Sequence, residues 1–473
     1  MKKFKKTLCI FMGLIMTLCA FSACSKDNES ALSASDLVKP TYEDNFELMI
    51  WGDHELDADE RTLTIYKEAG FNTYNYYPSS TAVSKIKSAA DVCEKIGLDM
   101  IIFGGSPLKW ATEGNANVAA TYPDRIGYFP NYFAQFDRAG VDFYDMPAIK
   151  GFYFIDEPGA TLFDDMKDTY VKWFNEKYPD LLWHVNMLPS YATPDLIEVE
   201  NTGGDKPIFE EYIERYAEEV IKHVTGNKKD IGVDHYPLLK SGVDTYVSPE
   251  YLYDLMVVSQ VAHEYGVDFS SCIQAAGWGN YRVPEKAEDI RFQVYTNLAL
   301  GARRLEFYPY NTSGYDGYTG MYAFGSPSAT YDAVQEVLLE VTKFDYLFGH
   351  FNWEGLKTIT GKKQIEDVDM GFDLIQDKVL ANLDGIKSAS STYDSIIGQF
   401  EDKDGNKAYM LVNYTDPAYG LLNKVDLEFN NVKGVVMYRE GIEMVLTATN
   451  NKLSVPLEPG EGVFIIPITE VAA

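Results

Sequence analysis

From about Phe46 onward, hydrophobic and polar positions follow one repeated pattern. A short apolar run of strand length is followed by a longer segment whose apolar residues recur at helical spacing. The runs are Glu47–Asp53, Phe71–Pro78, Leu98–Gly105, Ile149–Pro158, Leu181–Ser190, Asp230–Leu239, Val267–Trp278 and Arg303–Tyr310. Between them, Asp57–Gly70, Ser84–Gly97, Leu162–Tyr178, Ile208–Val224, Pro249–Gly266 and Pro284–Gly301 read as helices. The first two end on the Gly expected at a helix C-terminus. Ser106–Ala148 is rich in Gly, Pro and aromatic residues and predicts a loop insertion beside its helix, and Ala329–Phe348 is a last helical stretch. Eight β-then-α units in about 300 residues predict an α/β fold of the TIM type, a (β/α)8 barrel. A doubly wound open sheet would place a Gly-rich phosphate turn after its first strand. The turn here is Trp51-Gly52-Asp53-His54.

After Gly349 the texture changes to short alternating strands: Ala408–Tyr414, Val425–Phe429, Gly434–Arg439, Lys452–Val455 and Gly462–Pro467. Turn signals such as Asp404-Gly405 and Pro459-Gly460 separate them. The chain therefore divides into a barrel over Phe46–Phe348 and an antiparallel β-sandwich over Gly349–Ala473, which packs on the barrel or binds carbohydrate itself.

In a parallel barrel, alternate strand residues face the interior and the others face the helices, where apolar side chains belong. Placing Phe152 and Phe154 on the helix side turns Tyr153, Ile155 and Glu157 inward. The same rule turns His184 and Asn186 inward on run five, Asp234 and Tyr236 on run six, Cys272 and Gln274 on run seven, and Glu306, Tyr308 and Tyr310 on run eight. Polar residues thus gather on one parity at the C-terminal ends of five successive strands, the rim where this architecture carries its active sites. His184, Asn186 and Gln274 are candidates to bind the substrate there, while a hydrogen-bonded network that merely closes the barrel would also account for Asn186 and Gln274. It accounts less well for Glu157 and Glu306, since an unpaired carboxylate in a half-buried rim is costly.

Two carboxyls whose environments separate their pKa values can cleave a glycosidic bond, one protonating the leaving oxygen and the other acting at the anomeric carbon. Glu157 is the expected acid, with neighbouring Asp156 opposing its ionisation. Glu306, across the barrel, is the first candidate for the second carboxyl, and Asp234, nearer in strand order, is the next. Aromatic residues form 14% of the chain, and Tyr and Trp offer flat apolar faces with polar tips that suit sugar rings. Candidate platforms are Trp51, Tyr77, Trp110, Tyr236, Trp278, Tyr308 and Tyr310, with Trp278 foremost because its Gly flanks suit an exposed turn.

The net charge of −30 argues against a nucleic-acid partner, which would require a surplus of Lys and Arg. Met1–Cys24 opens with Lys2, Lys3, Lys5 and Lys6, continues through the apolar stretch Leu8–Phe21, and ends Phe21-Ser22-Ala23-Cys24. This resembles the export signal and lipobox of bacterial lipoproteins. The resemblance implies removal of residues 1–23, acylation of Cys24, anchoring to a bacterial membrane and a polar tether over residues 24–45. Stable anchoring is expected of two acyl chains, at about 0.8 kcal/mol per buried CH₂. Cys93 and Cys272 then remain, with no metal or disulfide spacing, and read as buried thiols.

Gly151-Phe-Tyr-Phe-Ile-Asp-Glu-Pro158, followed by Glu306-Phe-Tyr-Pro-Tyr310, resembles the barrel signatures of the glycoside hydrolase superfamily, clan A in particular. That resemblance implies an acid/base Glu at the end of strand four, which Glu157 matches, a carbohydrate substrate and no cofactor. The chain departs from clan A in carrying Asp156 where Asn is usual, and in offering only Gln274 on run seven where the nucleophilic Glu belongs. The adjacent Asp156-Glu157 pair is also similar to family 20 hexosaminidases, in which the substrate's acetamido group attacks. That likeness implies roles for Asp156, Glu157 and Tyr236. Two further readings are a metal hydrolase using His54, His184, Asp53 and Asp234, which lack a recognised spacing, and a degenerate barrel that holds glycan without cutting it.

Overall fold

A computed structural model describes residues 46–51, 59–76, 83–104, 136–199, 206–309, 319–323, 326–366 and 368–469. Eight parallel strands close into a barrel: β1 (Glu47–Trp51), β2 (Thr73–Tyr76), β3 (Asp99–Phe103), β4 (Ile149–Asp156), β5 (Leu182–Met187), β6 (Asp230–Val233), β9 (Asp268–Gln274) and β11 (Arg304–Tyr308). β1 pairs with both β2 and β11, which closes the ring. Each expected run contains one of these strands, trimmed at its ends. The exception in detail is run six. It breaks after Val233, and its tail Leu238–Ser241 (β7) folds back on Asp244–Val247 (β8) as a hairpin over the rim. The two-residue β10 (Ala276–Gly277) also lies above the barrel, paired with Thr319–Gly320.

Helices cover the outside. Their bulky residues meet the outward parity of the strands, as where Phe154 stacks on Trp183 and Trp183 donates to the Tyr216 hydroxyl at 3.0 Å. The expected helix over Leu162–Tyr178 is a composite of short 3-10, α and π turns from Ala160 to Lys177. Inside the barrel, Met49, Ile101, Phe103, Tyr153 and Leu182 form a small apolar cluster with Trp51 packed against it. This cluster lies beside polar residues of the same level, as where Tyr153 meets the His184 ring at 4.4 Å.

The C-terminal strands form a six-stranded antiparallel sheet and a three-stranded one, with a core that includes Ile397, Leu411, Val425, Leu427, Val455 and Ile465 between them. Strands Phe351–Ile359, Ile386–Ser391, Ser395–Asp402 and Ile442–Thr447 were not expected from alternation. Ser395–Asp402 is buried along most of its length, so it carries little alternation to read. The sandwich seats on the barrel helix Ala287–Ala299. Gly398 lies against the Ala299 carbonyl, where any Cβ would collide, and the Trp353 indole donates to that same carbonyl at 3.0 Å. Cys93 and Cys272 are both buried and free, as expected.

Candidate active site

Two polar layers sit in the barrel. The lower one is charge-compensated. Asp230, at the start of β6, receives the His184 imidazole Nδ1 at 2.9 and 3.0 Å and the Arg304 guanidinium, and Arg304 also donates to Glu47 at 2.6 Å. Gly232 makes room for this, since a Cβ there would press on His184 and on the Ser270 hydroxyl. The other imidazole nitrogen lies 3.6 Å from the Glu306 carboxylate, an ion-pair distance and too long for a hydrogen bond. Glu306 accepts from Asn75 at 2.8 Å and lies 3.6 Å from the Cys272 thiol. Burial works against a charged His184, but Asp230 and Glu306 outweigh it and push its pKa up to about 9. Burial likewise opposes ionisation of Asp230, yet His184 and Arg304 hold its carboxyl below the usual range.

The upper layer is built differently. Strict alternation along β4 would turn Ile155 and Glu157 inward together and Asp156 out. The ladder between β4 and β5 instead shifts register between Tyr153 and Asp156, so that Asp156 sits opposite Asn186. Its carboxylate accepts the Tyr153 hydroxyl at 2.6 Å and the Asn186 amide at 3.4 Å. The inward position expected for Ile155 is thus taken by Asp156. Glu157 then turns back toward the rim through a left-handed backbone, φ 49°, with its N–H held by the Asn186 carbonyl at 2.8 Å. That conformation costs an L-residue about 1–2 kcal/mol, and strain of this kind is found where function demands it. The bulge and the left-handed turn together bring two consecutive carboxyls onto the same side of one strand.

Asp234 follows β6, and its carboxyl lies close enough to Glu157 and Asp156 for the three to act on one another electrostatically. Burial, then Glu157 and Asp156, push Asp234 well up from the carboxylate range. Burial, then Glu157, push Asp156 up to about 8. Burial raises Glu157 as well, partly offset by Asp234. Such a cluster loses its protons stepwise as a unit.

Aromatic rings form a collar around these carboxyls. Trp51 touches Phe103, Tyr153 and Tyr308 at 5.0 to 5.3 Å between ring centres. Tyr308 continues to Tyr236 at 5.8 Å, Tyr236 to Trp278 at 5.1 Å, and Trp278 to Tyr281 at 4.5 Å. Tyr281 bonds to Tyr191, which is half exposed. Trp51, Tyr236, Trp278 and Tyr308 were expected here. Tyr153 was expected to face inward but not as part of a collar, and Phe103, Tyr191 and Tyr281 were not singled out, although Tyr281 lies three residues beyond Trp278.

Gln274 is fully buried and spends its amide on the rim's own backbone. It accepts from the Leu238 N–H at 2.9 Å and donates to the carbonyls of Arg282 at 2.8 Å and Leu238 at 3.2 Å. It therefore ties the hairpin to the Trp278 loop. Cys24, Asp53, His54, Tyr77, Trp110 and Tyr310 lie outside the described residues. Among the described residues, no group of three or more His, Cys, Asp and Glu side chains has a metal-holding arrangement.

A further brace stands behind Asp234. His235 is buried, with Nδ1 2.7 Å from Asp254 and Nε2 2.8 Å from the Ser248 hydroxyl. Asp254 also accepts the Ser190 N–H at 2.9 Å, so one carboxylate ties the loop after β5 to the loop after β6. Asp254→Ala is expected to lower stability by about 1–3 kcal/mol for each donor left without a partner, and Asp254→Asn to recover most of it. Urea unfolding of the three proteins measures this.

No protein-family model matches the chain, and no curated protein matches it. Several solved structures are similar to it. An endoglucanase is 13% identical, with 61% of this chain and 97% of that chain covered and a TM-score of 0.42. An Anoxybacillus α-amylase is 8% identical over 91% of this chain and 99% of that one, with a TM-score of 0.43. A β-L-arabinopyranosidase from Geobacillus stearothermophilus is 11% identical over 91% of this chain and 97% of that one, with a TM-score of 0.45.

Proposed function

We propose that the protein hydrolyses glycosidic bonds, with Glu157 as general acid and Asp234 as the second carboxyl. The observation that carries this reading is the convergence of the carboxyls of Glu157 and Asp234 at the ends of β4 and β6, beside a chain of aromatic rings. Two neighbouring carboxyls, one protonated and one ionised, supply the acid and the base that cleavage requires. A sugar entering the collar would part the two. Asp234 is favoured over Glu306 because Glu306 is sealed in the lower layer, only 2% exposed and engaged with Asn75 and His184. In this reading Glu306 supports the site from beneath, Asn186 and Tyr153 orient Asp156, and Tyr236, Trp278, Tyr308 and Trp51 receive the sugar.

The test is turnover of a broad panel of oligosaccharides and aryl glycosides by the lipid-free protein. Hydrolysis of at least one member is expected. Binding of a glycan by the protein with no turnover of any would favour the non-catalytic reading, and activity abolished by a chelator would favour a metal enzyme. The carboxyl separation in a sugar-bound state sets the stereochemistry, with about 5–5.5 Å giving retention and about 6.5–9.5 Å inversion.

We also propose that the protein is exported and anchored to a bacterial membrane through Cys24, on the strength of the basic start, apolar stretch and Phe-Ser-Ala-Cys ending alone. Labelled fatty acid should enter the wild-type protein in cells, and Cys24→Ser should abolish that incorporation and release the protein from the membrane fraction.

A further inference from the structure

The two polar layers differ in their charge balance. In the lower layer the carboxylates Asp230, Glu47 and Glu306 face His184 and Arg304. In the upper layer Asp156, Glu157 and Asp234 act chiefly on one another, and among the described residues their partners are the neutral Tyr153 and Asn186. Three carboxyls in one half-buried rim repel each other and hold protons that each would lose in water. A second observation points into the same space. Asp234 is 7% exposed, and its Oδ1 makes no hydrogen bond among the described residues. A buried carboxylate oxygen without a donor is costly, and a ligand donor would satisfy it.

We propose that the sugar received beside Glu157 carries a protonated amine, so that the substrate is a chain of amino sugars with free ammonium groups. This rests on the glycosidase reading for the position of the site. The ammonium supplies the countercharge that the upper layer lacks and the three donors that Asp156 and Asp234 Oδ1 can accept. Tyr236 and Trp278 belong to the collar, and an aromatic face met by the ammonium would add an attraction that neutral sugars do not feel. The net charge of −30 steers a cationic chain toward the protein and repels uronic acid chains.

The test is calorimetric binding at mildly acidic pH of three hexamers, one of glucosamine, one of N-acetylglucosamine and one of glucose (cellohexaose). The wild-type protein should bind the glucosamine hexamer at least ~10-fold more tightly than either neutral chain, with the preference shrinking in high salt. Asp156→Asn should cut that affinity ~10-fold. Asp234→Asn should do the same, and serves if Asp156→Asn fails to fold. Asp164→Asn is the control for bulk charge, since Asp164 is exposed and paired with Lys167 on the surface. A loss with Asp164→Asn equal to that with Asp156→Asn would overturn the proposal. So would neutral hexamers bound as tightly as the cationic one; if such a neutral chain is also cleaved, the glycosidase reading stands without this inference. Tight, Asp156-dependent binding of the glucosamine hexamer with no glycan cleaved would uphold the cation site and overturn the glycosidase reading.

Discussion

Glu157→Gln is expected to lower turnover of an unactivated glycan by about 100-fold or more, the lower scale for removing a general acid. Gln keeps the size and the hydrogen-bonding reach of the side chain but cannot deliver a proton to the leaving oxygen. The loss should therefore depend on the leaving group. An aryl glycoside whose phenol departs without help should lose much less than an oligosaccharide. A residue that only held the rim in shape would slow both equally. Stability is a separate readout. The substitution removes one of three mutually repelling carboxyls, Asp156, Glu157 and Asp234, so the melting temperature should not fall. A well-folded Glu157→Gln protein with undiminished turnover of the oligosaccharide would remove Glu157 from the chemistry.

The second large effect is on folding. Asp230→Ala should destabilise the protein by about 3–5 kcal/mol, because it strands His184 and Arg304 as buried cations without their shared partner. Denaturant unfolding measures it. The same cluster predicts a pH dependence. His184 has a folded pKa of about 9 against its ordinary 6.5, so its contribution is full below about pH 6.5 and is lost as pH rises through about 9. Wild-type stability should decline over that window. His184→Gln, which has no proton to lose there, should show a smaller decline. Equal slopes in the two proteins would mean that His184 does not hold its proton in the fold.

The sequence revealed the barrel and much of the site, because both rest on periodicity. Alternation along runs five and six placed His184, Asn186 and Asp234 inward, where they are found engaged with Asp230, Asp156 and Glu157. It failed where the backbone leaves the regular ladder. The register shift in β4 is invisible to a two-residue period, so alternation alone turns Ile155 inward where Asp156 stands. The left-handed turn at Glu157 carries no Gly or Asn to announce it. Gln274 reads on the sequence as an inward substrate-binding residue or part of a closing network, and its partners are main-chain groups of loops that no strand pattern locates. On the sequence Glu306 stands ahead of Asp234 as the second carboxyl. What separates them is depth in the barrel, set by where β6 ends and β11 continues.

The most direct test is a crystal structure of Glu157→Gln with an uncleaved oligosaccharide. The predicted result is a sugar ring on Tyr236 or Trp278, the side chain of residue 157 within hydrogen-bond reach of the glycosidic oxygen, and Asp234 on the other side of the scissile bond. A chain bound only on the sandwich, with residue 157 still sealed against Asp234, would contradict the account.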